Sequence, residues 1–127
     1  VAAPAATSNT EAMENQAFAL VNAERARVGL PALSFDASLR ESARAQAGRI
    51  AAAHGLFHQD LHPLLDQGWR TAGENVGGGP SVELLHPAFV ASPGHYANIV
   101  NASFTHMGVG VVVGADGTVW ISYVFAG

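Results

Sequence analysis

The octapeptide Ser92-Pro93-Gly94-His95-Tyr96-Ala97-Asn98-Ile99 combines a helix start with a titratable ring. Ser92 is a suitable N-cap, and Pro93 fits the first helical position, where its missing N–H costs nothing. His95 then falls in the first turn of a short helix. The helix dipole disfavours imidazolium there and biases the ring toward its neutral form. A neutral imidazole on a rigid turn can ligate a metal or act as a base; equally, it can do no more than hydrogen-bond a loop. Asn98, one turn on, is placed to steady the same face. Five other histidines occur, at 54, 58, 62, 86 and 106. His62, His86 and His106 read as surface or capping residues, and His54 sits at a helix end. No Cys is present, so neither disulfides nor thiolate ligands can form. No His-Glu-x-x-His pattern occurs, and Ser92 lacks the elbow context of a hydrolase nucleophile. Gly77-Gly78-Gly79-Pro80 is not a phosphate loop, since no Lys follows it and no strong strand precedes it.

These groups must be positioned by a chain of 127 residues, 49% of them hydrophobic, which suits one domain with one core. The net charge of -4 gives no general reason to bind nucleic acid or an anionic membrane. All six basic residues are Arg, and five of them lie between positions 25 and 49, where they read as solvated helix faces. No apolar run approaches the ~18 residues of a membrane span. The small-residue start Val1-Ala2-Ala3-Pro4-Ala5-Ala6-Thr7-Ser8 resembles that of a mature exported protein. Residues 1–10 read as a flexible lead-in and 11–127 as the domain.

Ser8 with Glu11 fits a capping box, and a helix follows to about Val28, stopped by Gly29 and Pro31. Leu30, Leu33 and Phe35 form an apolar connector expected to tuck under the helices. Asp36 caps a second helix over Ala37–Ala53, with Leu39, Ala43, Ala47 and Ile50 as its buried stripe. Leu56 to Arg70 reads as a loop with one helical turn. Ala72–Val76 predicts a short edge strand, and the three glycines after it a flexible bend. Ser81 caps a third helix to about Ala91, which Pro87 should kink or split after Leu85. Strict alternation over Met107–Val113 and Val119–Phe125, around Ala115-Asp116-Gly117, predicts a β-hairpin. Both of its faces are largely apolar, so both must be covered, and only helices are available to cover them. The small Gly108 and Gly110 face would let one helical layer approach closely. Trp69, Tyr96, Trp120 and Phe125 read as core or as groove lining.

Gly73-Glu74-Asn75-Val76, the His95 octapeptide, Met107-Gly108-Val109-Gly110-Val111 and Trp120-Ile121-Ser122-Tyr123-Val124-Phe125 occur in an order and spacing that resemble the CAP superfamily. That family, also called the SCP domain, is named for cysteine-rich secretory proteins, antigen 5 and pathogenesis-related proteins of type 1. The leading helix, Leu20-Val21-Asn22-Ala23-Glu24-Arg25, matches too. The likeness is to the small bacterial cysteine-free branch and spans about residues 12 to 127.

The resemblance implies an α+β fold, a three-layer α-β-α sandwich with a central antiparallel sheet. It also implies a cleft of two His and two Glu able to hold a divalent metal such as zinc. Carried over by position, these are His58 (in preference to His54), Glu74 and His95, with Asn75, Ser92 and Asn98 as supports. The second Glu is missing, for Phe89-Val90-Ala91-Ser92 stands where it would fall. Three ligands would leave one position of a tetrahedral zinc open. The expectation is a secreted, monomeric binding module for a small molecule, lipid, sterol or cell-envelope ligand. A scaffold domain and a metal-dependent, peptidase-like hydrolase are the alternatives.

Overall fold

The structure, a computed structural model, describes residues 7–127; the expected lead-in over residues 1–10 lies outside the described residues except for Thr7 to Thr10. Helix α1 (Ser8–Arg27) starts one residue earlier than predicted, because Thr7 rather than Ser8 is the N-cap. Thr7 Oγ1 accepts the Thr10 N–H at 3.2 Å, and Thr10 Oγ1 accepts the Thr7 N–H at 2.9 Å. Two hydroxyls thus close the reciprocal box that Ser8 and Glu11 would have closed. Gly29, at φ +83°, supplies the stop. Strand β1 (Ser34–Phe35) precedes helix α2 (Ala37–Ala53), which Asp36 caps through the Leu39 N–H at 3.0 Å. His54, in the left-handed region, ends α2. One turn, α3 (His62–Asp66), interrupts the long loop as expected. Strand β2 (Ala72–Gly79), helices α4 (Val82–Ala91) and α5 (Pro93–Ile99), and the hairpin strands β3 (His106–Val113) and β4 (Val119–Ala126) complete the chain.

The sheet order is β1-β3-β4-β2, with the hairpin at its centre. β4 pairs antiparallel with both neighbours, whereas β1 adds a parallel pair of two residues, so the sheet is mixed. Leu33 is buried as expected, but Phe35 of β1 is 52% exposed and is not tucked under the helices. Helices sheathe both faces. Met107, Val109, Val111, Ile121, Tyr123 and Phe125 pack against α1, α4 and α5 through Val21, Leu85, Phe89 and Ile99. Val124 and Ala126 meet Leu39 and Ala43 of α2, and Trp120 meets Ile50. A Cβ on Gly108 or Gly110 would fall inside the α2 backbone at Leu39–Arg40 and Ala43–Arg44. The small face is therefore what lets α2 lie directly on the sheet.

Two sequence expectations fail for identifiable reasons. The glycines after Val76 are not a bend, for they continue β2 in register to Gly79↔Val119. Their bareness serves packing: a Cβ at Gly77 would meet Phe89 at 2.8 Å, and one at Gly78 would meet Trp120 at 2.7 Å. Helix α4 also runs unbroken through Pro87. The lost hydrogen bond would have gone to the Glu83 carbonyl, and both residues lie on the exposed face, where water can replace it.

Candidate functional site

β2 is an edge strand, paired with β4 on one side only. Its alternation sends Glu74 and Val76 toward the α2 layer, and Gly73, Asn75 and Gly77 toward α4 and α5. Glu74 lies 5% exposed and its carboxylate accepts four hydrogen bonds. Oε1 takes the Gln59 backbone N–H at 3.2 Å and the His58 Nδ1–H at 2.9 Å. Oε2 takes Gln59 Nε2 at 2.7 Å and Ser122 Oγ at 3.0 Å. Since the carboxylate can only accept, the His58 proton sits on Nδ1 and Nε2 is left free. The His58 side chain is 61% exposed, so its free nitrogen looks outward from an anchored ring.

His95 comes from the opposite layer. Ser92 is the N-cap of α5, but its hydroxyl makes no cap bond; it meets His95 Nδ1 at 2.8 Å instead. The ring lies over Phe89, with centroids 4.9 Å apart. Burial first, and the neighbouring His58 second, hold the His95 imidazole below its ordinary pKa, while the Val76 backbone pulls the other way. The direction is the one expected from the sequence, with desolvation as its main cause. The two histidines are tied to successive residues of β2: His58 Nδ1 meets the Glu74 carboxylate, and the His95 carbonyl accepts from Asn75 Nδ2.

Of the expected supports, Asn75 lies on β2, Ser92 at the N-cap of α5 and Asn98 near its end. Asn75, 1% exposed, donates to the His95 carbonyl at 3.0 Å. Asn98 donates to the Glu74 carbonyl at 3.2 Å and to Asn75 Oδ1 at 2.9 Å, tying α5 to the strand edge. α5 is further held to α1 by the Tyr96 hydroxyl, which donates to Glu24 at 2.6 Å. Fully buried Arg25 donates to the Ile99 and Asn101 carbonyls, each at 3.0 Å.

Gln59 and Ser122 were not singled out in the sequence, yet they supply three of the four bonds to Glu74. Ser122 had a signal, a hydroxyl in the middle of a strand apolar on both faces. Gln59 had none beyond its place next to His58.

The remaining histidines stay apart from the cleft. His54 faces Trp120, His62 pairs with Asp60 at 2.8 Å, and His106 lies against Trp69. His86 corrects the expectation of a surface or capping residue. It belongs to the buried stripe of α4 with Val82, Leu85 and Phe89, 3.4 Å from the Tyr123 hydroxyl, and burial lowers its pKa. Trp120 and Phe125 are core, so the four aromatics named above line no common groove. An open groove lies instead between α1 and α4, lined by Leu20, Ala23, Pro87 and Val90 together with Glu24, Arg27 and His86.

Among the described residues, no three His, Asp or Glu side chains converge as a metal-binding group. Glu74, with four donors on its two oxygens, stands behind His58. The two imidazoles expected at the cleft, His58 and His95, are held by different partners. Each Nδ1 is already engaged, one on a carboxylate and one on a hydroxyl, as is usual for metal-bound histidines.

The model of the cysteine-rich secretory protein family matches residues 18–125. An uncharacterised protein of Bacillus subtilis, YkwD, is 36% identical over 124 residues, covering 91% of this chain and 48% of its own length. The chain thus spans about half the length of that curated relative. An extracellular SCP-domain protein of Bacillus anthracis superposes with TM-score 0.78 at 25% identity, over 97% of this chain and 44% of that one. An outer surface protein of Borrelia burgdorferi gives a TM-score of 0.82 at 16% identity, over 99% of this chain and 98% of that one.

Proposed function

Because the chain belongs to the cysteine-rich secretory protein (CAP) family, we propose that it is an extracellular bacterial binding module whose working surface is the cleft at the free edge of β2. His58 and His95 form a two-imidazole seat for a divalent cation such as zinc, and the other coordination positions are left to water or to a ligand. A cation held there would supply a Lewis-acidic point for an anionic or carbonyl group of a cell-envelope ligand. The apolar part of a lipid or sterol would lie in the groove between α1 and α4.

The observation that carries this reading is the division of labour at Glu74. A buried carboxylate with every acceptor filled fixes the tautomer of an exposed imidazole and has no free lone pair with which to activate water. That arrangement favours binding over the peptidase-like alternative. It also gives the scaffold reading its one support, and a titration separates the two.

Calorimetry with zinc on the wild type, His58→Ala and His95→Ala is expected to show one site of micromolar affinity or weaker that either change abolishes. A wild type that takes up no zinc while the double variant His58→Ala/His95→Ala loses stability would leave the cluster as scaffold. Zinc affinity unchanged in His95→Ala would remove the proposed seat.

A further inference from the structure

The opposite edge of the sheet carries a feature that the β2 cleft does not use. β1 covers only two residues of the outer edge of β3, where the Asp36 N–H donates to the Met107 carbonyl at 3.2 Å. Farther along, the Val111 N–H points off the same edge to Glu14 Oε2 at 3.1 Å. The two-residue period then aims the peptide groups of Val109 outward as well. They open on a cavity of about 200 Å³ between α1, β1 and α2, lined by Glu14, Asn15, Phe18, Phe35, Arg40 and Val109.

Arg40 is the unbalanced charge of this cavity. Its guanidinium lies 4.9 Å from the centroid of Phe35, and Phe18 meets Phe35 edge-on at 6.4 Å. Among the described residues Arg40 forms no ion pair, and its Nε is the one buried side-chain nitrogen or oxygen without a hydrogen-bond partner. The nearby acids are committed to Arg44, one turn on. Glu14 holds it at 2.7 Å, with Glu41 at 3.6 Å and Glu11 at 4.0 Å. Glu14 also accepts the Val111 N–H, so its charge is met from two sides. A buried, unpaired guanidinium N–H calls for an anion, and two aromatic rings beside it call for an apolar body.

We propose that this cavity is a second binding site, for a small aromatic carboxylate whose anionic end pairs with Arg40 and whose ring lies against Phe18 and Phe35. Size agrees, since an apolar cavity of about 150 Å³ already holds benzene. Arg40 supplies the charge for the carboxylate from the cavity wall, which Val109 also lines. The site is separate from the His58–His95 cleft: β1 and β2 are the two ends of the sheet order.

Benzoate is the probe, with benzyl alcohol as its uncharged counterpart, titrated into the whole chain and followed by amide NMR. Benzoate is expected to saturate and to shift the amides of Asn15, Phe18, Phe35 and Val109. Benzyl alcohol should bind about tenfold or more weakly, as should benzoate to Arg40→Gln, since hydrogen bonds to charged groups are the stronger class. Phe35→Ala should weaken benzoate as well, and His95→Ala should leave it unchanged. Equal binding of the alcohol and the acid by the wild type, a comparison that needs no variant, would overturn the proposal. So would shifts confined to the α1–α4 groove, or benzoate binding lost in His95→Ala.

Discussion

Replacing Glu74 by Ala removes the acceptor on which four donors converge. Ser122 is fully buried, and a buried hydroxyl left without a partner costs about 1–3 kcal/mol. The two Gln59 donors sit in a half-buried loop that can turn to water, so each forfeits only about 0.5–1.5 kcal/mol. His58 is mostly exposed and adds little. Relief from burying a carboxylate offsets part of the loss, which leaves a net cost of about 2–3 kcal/mol. In a chain of this size that lowers Tm by roughly 10 °C. Urea denaturation followed by circular dichroism measures the first figure, and a thermal scan measures the second. Glu74→Gln keeps one acceptor oxygen, and the Ser122 hydroxyl can rotate to accept from the new amide, so its loss should be clearly smaller. If Glu74→Ala unfolds within about 0.5 kcal/mol of the wild type, as an ordinary surface change would, the carboxylate is not the hub of the cleft.

Gly110→Val should destabilise the fold by at least about 3 kcal/mol, because α2 must lift off the sheet. Gly94→Ala, with nothing within 4 Å of the new Cβ, should be neutral or slightly stabilising; paired denaturation curves compare the two. Arg25→Lys cannot reproduce the fork that reaches the Pro31, Ile99, Asn101 and Phe104 carbonyls, and a loss of about 2–4 kcal/mol is expected in the same assay. His95 and His86 both have folded pKa values below the ordinary one, chiefly through burial. The unfolded chain therefore binds protons below about pH 6.5 that the folded chain refuses, so stability should fall as pH drops from there through the depressed values. Urea midpoints that stay flat from neutral to mildly acidic pH would contradict the burial of both rings.

The hairpin and its two-sided burial were legible because period-two alternation with both faces apolar has few other physical solutions. The Gly108 and Gly110 face even indicated which layer would come closest. Local signals that compete were harder to read. Three glycines in a row look like a bend until Phe89 and Trp120 are placed over them. Pro87 looks like a break until its exposed side of the helix is known. Thr7 and Ser8 are equally good caps on paper. At the site, Glu74, Asn75, Ser92 and Asn98 could be named because they lie in or beside recognisable motifs. The role of Glu74 could not be read there, because it depends on Ser122 and Gln59, which converge on it only in the folded chain. His86 was misjudged because a histidine carries no mark of the helix face it will occupy.

The account rests on His58 and His95 acting together, with Nδ1 of His58 held on Glu74 and Nδ1 of His95 on Ser92. Proton–nitrogen NMR spectra of the histidine rings, recorded while zinc is added to the wild type, test this most directly. The expected result is that the Nε2 signals of His58 and His95 shift together, with Nδ1 of His58 carrying the proton throughout. Zinc shifts confined to His54, His62 or His106, or a His58 ring protonated on Nε2, would contradict it.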